Sequence, residues 1–125
     1  MFVRVSSIFG ITLGMALLIS ACSSNNNSPT MPSPSPSGPS VSIVSGAASK
    51  GTNAFSPNPV NVSVGSTVTW SNADGQTHTA TSNTGAFDTQ NIAAGASKSV
   101  TFSTAGTFQY HCSIHPGMMG TLNVQ

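Results

Sequence analysis

The chain has 125 residues, with three Lys plus Arg, two Asp plus Glu and a formal net charge of +1. That length fits one modest domain with short additions, and so few charges leave neither a basic footprint for nucleic acid nor an acidic patch for a cationic partner. Solubility rests instead on Ser, Thr and Asn.

Residues 1–21 carry one cation, Arg4, ahead of an apolar run from Ile8 to Ile19. The run is short for a membrane span and has the layout of an export signal. It ends in Leu18-Ile-Ser-Ala-Cys22, which resembles the lipobox of bacterial lipoproteins, with Ile19 where Leu is usual. That resemblance implies a signal peptide cleaved before Cys22, acylation of Cys22, and an exported protein anchored by lipid to a bacterial membrane on its periplasmic or cell-surface side. Ser23, in place of Asp, resembles the outer-membrane sorting of Gram-negative lipoproteins. A plain signal peptide followed by a free Cys is the simpler alternative. Residues 22–40 are then rich in Ser, Asn and Pro, with Pro32, Pro34, Pro36 and Pro39 near-regularly spaced. Such a segment buries too little to offset its ordering entropy and is expected as a disordered linker. It reaches from about 25 Å as a coil to roughly 55 Å as polyproline II.

Residues 41–125 form the expected folded domain, whose charged side chains are Lys50, Asp74, Asp88 and Lys98. Its periodicity is that of strands. Val60, Val62 and Val64 alternate with polar residues, Val68 and Trp70 flank Thr69, Val100 and Phe102 flank Thr101, and Leu122 and Val124 flank Asn123. Gly65, Asp74-Gly75, Gly95 and Ala105-Gly106 punctuate these runs. Short strands at this spacing predict an all-β antiparallel sandwich or small barrel. Asp74 and Asp88 are expected to serve turns.

Near the end, Tyr110-His-Cys112-Ser-Ile-His115-Pro-Gly-Met118-Met119 puts a thiol, an imidazole and a thioether on one short loop. Phe108, Tyr110 and Cys112 share one parity and are expected to face the core, with Gln109 and His111 facing away. If Cys22 is acylated, Cys112 is a lone thiol in an oxidising compartment, and metal ligation would protect it. Two imidazoles and a thiolate with a weak axial thioether make a blue-copper site. The second imidazole is His78 or His111, and parity disfavours His111. The axial place lies between Met118 and Met119. Zinc could also occupy two His and a Cys.

The domain resembles the cupredoxins, the blue-copper family, and within it the plastocyanin and amicyanin branch. The resemblance runs through Phe55-Ser-Pro-Asn-Pro-Val60, Val68-Thr-Trp70-Ser-Asn72, Asp74, His78-Thr79, Phe87-Asp88, Gly106-Thr-Phe108 and Tyr110-His-Cys112, and the closing loop has the short spacing of amicyanins. It implies a Greek-key β-sandwich holding one type 1 copper through His78, Cys112, His115 and Met118. It implies an electron carrier rather than an enzyme, with His115 as electron port and redox partner proteins docking at an apolar rim of Pro116, Gly117, Met118 and Met119. The protein is expected to be a monomer. Two positions depart from the family. Ile114 stands where Pro is frequent, and Thr79 stands where an Asn usually ties the ligand loops, leaving a hydroxyl able to donate one such bond. A copper carrier or storage lipoprotein would use the same ligands, and a metal-free surface sandwich would use none.

Overall fold

The computed structural model describes residues 38–125. The predicted signal segment, Cys22 and most of the predicted linker lie outside the described residues. The strands are β1 (Ser40–Ile43), β2 (Phe55–Ser56), β3 (Val60–Val62), β4 (Thr67–Asn72), β5 (Thr81–Ser82), β6 (Ser97–Thr101), β7 (Gly106–His111) and β8 (Met119–Val124). Among the described residues, short 3-10 turns at Ala47–Ser49 and Gly51–Asn53 are the helical elements. Two four-stranded sheets pack face to face, ordered β2-β1-β4-β6 and β3-β8-β7-β5, in a Greek-key sandwich.

Alternation decides which side chains enter the space between the sheets. Val41 and Ile43 of β1, Val68 and Trp70 of β4, Tyr110 of β7, and Leu122 and Val124 of β8 are all buried. Trp70 stands at the centre, stacked on Phe87 at 5.5 Å and meeting Tyr110 edge-on at 5.7 Å between ring centroids. Gly120 lies opposite Tyr110 in the β7–β8 ladder, and a Cβ there would overlap the Tyr110 ring. The small residue makes room for the large one.

Three features differ from the sequence expectation. The sandwich is mixed, because β1 runs parallel to β4 and β3 runs parallel to β8. The chain crosses between sheets from β2 to β3, so a strand can meet a neighbour remote in sequence and running the same way. Val64, the third residue of an alternating run, is 48% exposed, since β3 stops at Val62 where the strand partner β8 ends. Sheet pairing also begins before residue 41: Ser40 is in register with Thr69, whose N–H donates to Pro39 O at 3.0 Å.

The β7–β8 pair fixes where chemistry occurs. Its ladder runs without a break from Gly106 opposite Val124 to His111 opposite Met119. Residues 112–118 therefore form a loop at one pole, and β5, paired to β7 through Thr81 and His111, carries the segment after His78 to that same pole.

Candidate metal centre

After β4 the chain turns on Asn72, Asp74 and Gly75. Asp74 N–H donates to Asn72 Oδ1 at 2.9 Å, and Gly75 N–H donates to Asp74 Oδ1 at 2.8 Å. His78 then forms an isolated antiparallel bridge with Ile92, its N–H donating to Ile92 O at 3.1 Å while Ile92 N–H donates to His78 O at 2.8 Å. From this anchored backbone the imidazole projects into a fully buried position.

Cys112 follows directly on β7, and the parity it shares with Tyr110 carries its thiol inward. The cysteine is fully buried and unpaired. Beyond it the loop folds back, with Met118 N–H donating to His115 O at 2.9 Å and Cys112 N–H donating to Met118 O at 3.1 Å. These bonds bring His115, which is half-buried, over the thiol.

Three donor atoms converge. Cys112 Sγ lies 3.7 Å from His78 Nδ1 and 3.8 Å from His115 Nδ1, and the two nitrogens are 3.2 Å apart. An ion held at about 2.0–2.1 Å by imidazole nitrogens and about 2.3 Å by a thiolate needs its donors roughly 3–4 Å apart. The triangle therefore fits one first-row metal ion, and a thiolate with two imidazoles selects copper or zinc over hard cations.

A family model described as copper binding proteins, plastocyanin/azurin family, matches residues 42–125. The chain belongs to this family. The cupredoxin is 37% identical to plastocyanin from Scenedesmus fuscus over 96 residues, 62% of this chain and 93% of that protein. A purple cupredoxin from Nitrosopumilus maritimus is similar with a TM-score of 0.64 and 28% identity, covering 70% of this chain and 99% of that one. A Cu(I) amicyanin variant gives a TM-score of 0.59 at 27% identity, over 70% of this chain and 82% of that one. His78, Cys112 and His115 are thus positioned as ligands of one copper ion.

The remaining expected residues separate clearly in this cupredoxin. His111 faces away from the site, half-buried, with Nδ1 2.6 Å from Asn83 Oδ1. Met118 is fully buried and so drops out of the expected apolar rim, because its side chain turns inward on the loop, whereas Met119 is 49% exposed. Thr79 ties the two ligand segments more thoroughly than a single donated bond. Its backbone N–H donates to Cys112 Sγ at 3.3 Å, its Oγ1 accepts the Ser113 N–H at 2.8 Å, and its hydroxyl lies within donating distance of Ser113 Oγ at 3.3 Å. Asp88 serves its turn by accepting the Gln90 N–H at 2.8 Å.

Asp74 does more than the turn expected of it. Besides Gly75, its Oδ1 accepts the N–H of the distant Gly46 at 3.0 Å, and its Oδ2 lies 2.8 Å from His78 Nε2. The Gly46 amide first, and the His78 ring second, hold its carboxyl down at about 2. A signal was present in the sequence, an acid four places before a ligand His, but the same spacing is common in turns without any such contact.

Proposed function

We propose that this cupredoxin carries single electrons outside the cytoplasm by cycling one bound copper between Cu(II) and Cu(I). The observation that carries this reading is the buried convergence of one thiol and two imidazole nitrogens on backbone fixed from both sides. Copper in such a donor set supplies a one-electron couple. The chain's part is to keep the donors still. Ile92 clamps His78, while Met118 and Thr79 clamp Cys112.

Met118 is the proposed fourth, axial ligand, being buried on the loop that closes the site while Met119 faces solvent. His115 is the proposed electron port, because it is the least buried of the three converging ligands. Around it Ile114 is 47% and Met119 49% exposed, and Pro116 and Gly117 are exposed beside them. Such an apolar rim suits brief docking of redox partner proteins, whose contacts are typically below about 1,200 Å². With so few charges on the domain, encounter depends on apolar fit more than on electrostatic steering. The protein acts as a monomer, and acylated Cys22 anchors it to a bacterial membrane, with the residues between Cys22 and the first sheet contact at Pro39 as its tether. A carrier or storage role calls for a readily surrendered metal, whereas the full burial of His78 and Cys112 favours retention.

Addition of Cu(II) to the protein should produce intense thiolate-to-copper charge-transfer absorption, and Cys112→Ala should lose both the colour and tight binding. A colourless Cu(II) complex overturns the electron-transfer reading. Copper-loaded protein incubated with an apo-acceptor over many redox cycles should keep its metal; loss to the acceptor favours the carrier role.

A further inference from the structure

We infer that Asp74 is a positioning residue of the copper site, whose carboxylate sets the tautomer and orientation of His78 and biases bound copper toward the oxidised state. The inference rests on the copper reading above for its second half only.

The His78 ring is fully buried, so each of its nitrogens needs a partner. Nε2 has Asp74 Oδ2 at 2.8 Å, while Nδ1 faces Cys112 and His115. An ionised carboxylate only accepts. In the neutral ring the proton therefore sits on Nε2, and the lone pair of Nδ1 is left pointing into the donor triangle. A neutral partner such as a hydroxyl, able to donate as well as accept, would not enforce that choice.

Asp74 is itself held so that this contact cannot drift. Both Gly46 and Gly75 donate N–H groups to Oδ1, leaving Oδ2 for the ring. A closed circuit of four residues follows: Asp74 N–H donates to Asn72 Oδ1, Asn72 Nδ2 donates to Ile92 O at 2.9 Å, Ile92 N–H donates to His78 O, and His78 Nε2 returns to Asp74. The backbone of the ligand and the outer nitrogen of its ring are thus fixed by one hydrogen-bonded ring of contacts. Among the described residues no Lys or Arg forms a salt bridge with Asp74. Its negative charge is therefore felt across the imidazole, and it favours the higher positive charge in the triangle.

Two measurements decide the matter. In the copper-free full chain, long-range ¹H–¹⁵N correlation should find His78 protonated on Nε2, and in Asp74→Ala the ring should gain the Nδ1–H form. This readout needs no copper, so it stands or falls separately from the electron-transfer reading. A wild-type His78 whose neutral ring is protonated on Nδ1 overturns the inference. In copper-loaded protein, Asp74→Asn should weaken Cu(II) binding by about 10–100-fold, the usual loss when such an outer partner is removed. If Cu(I) binding is untouched, the potential rises by about 59 mV per tenfold for a one-electron couple. Asp88→Asn, which removes an equal charge from an exposed turn, should leave the potential nearly unchanged. A potential in Asp74→Asn that matches wild type, or one that Asp88→Asn shifts equally, overturns the inference.

Discussion

Met118 and Met119 are chain neighbours with opposite surroundings, the first fully buried and the second about half exposed. A thioether can serve copper as a weak axial ligand or simply fill space, and burial on the ligand loop is the ground on which Met118 is proposed for the first task. Met118→Leu preserves volume and apolarity while removing the sulfur, so stability should change by less than about 1.5 kcal/mol. The absorption spectrum and reduction potential of the copper form should shift in Met118→Leu and stay close to wild type in Met119→Leu. The opposite pattern would move the axial role to Met119.

Strand ends and the loops between them set the rigidity of the site. The 112–118 loop is closed at its neck by Cys112 and Met118, and it is bound sideways to the His78 segment through Thr79 and Ser113. The tie combines a backbone N–H to the Cys112 sulfur with a hydroxyl that accepts the Ser113 N–H. Thr79→Val keeps the shape but removes the 2.8 Å acceptor of the Ser113 N–H, on a residue exposed enough for water to replace it. Losing such a bond costs about 0.5–1.5 kcal/mol. Denaturant unfolding of the copper-free protein should show that loss, and Thr79→Ser should recover most of it. Equal stability of Thr79→Val and wild type would mean that the tie is idle.

Across the whole molecule, the two sheets are joined by an aromatic core in which Tyr110 contacts Trp70, Phe55 and Phe87. The Tyr110 hydroxyl and Trp70 Nε1 are both buried without a hydrogen-bond partner. Desolvation pushes the phenol up to about 12, and the nearby indole N–H only tempers the rise. Between its ordinary value of 10.0 and about 12, the unfolded chain has released this proton while the folded one retains it. Stability should therefore fall as pH rises through that window, by about 1.4 kcal/mol per pH unit from this group. Tyr110→Phe removes the ionisation together with an unsatisfied hydroxyl. Its unfolding free energy should be near wild type at pH 7 and should exceed wild type progressively above pH 10. Parallel pH profiles for the two proteins would show that Tyr110 is not the source.

Much of the site was legible because it is local. The spacing from Cys112 to His115 to Met118 lies within one loop, and the period-2 alternation of Phe108, Tyr110 and Cys112 turned the thiol inward while sending His111 out. His78 could be named as the missing imidazole because the chain offers so few alternatives. The parallel pairing of β1 with β4, the exposure of Val64, and the contacts from Gly46 to Asp74 and from Thr79 to Ser113 could not be read in this way. Each depends on residues far apart in the chain, which only strand pairing within the assembled sheets brings together. The sequence by itself therefore pointed to the residues whose donors converge, His78, Cys112 and His115, because donor chemistry and alternation belong to short stretches. The tertiary structure decided what holds those atoms, and which nitrogen of His78 faces the site, because a hydrogen bond to Asp74 exists only once β4, the Gly46 turn and the Ile92 bridge are in place.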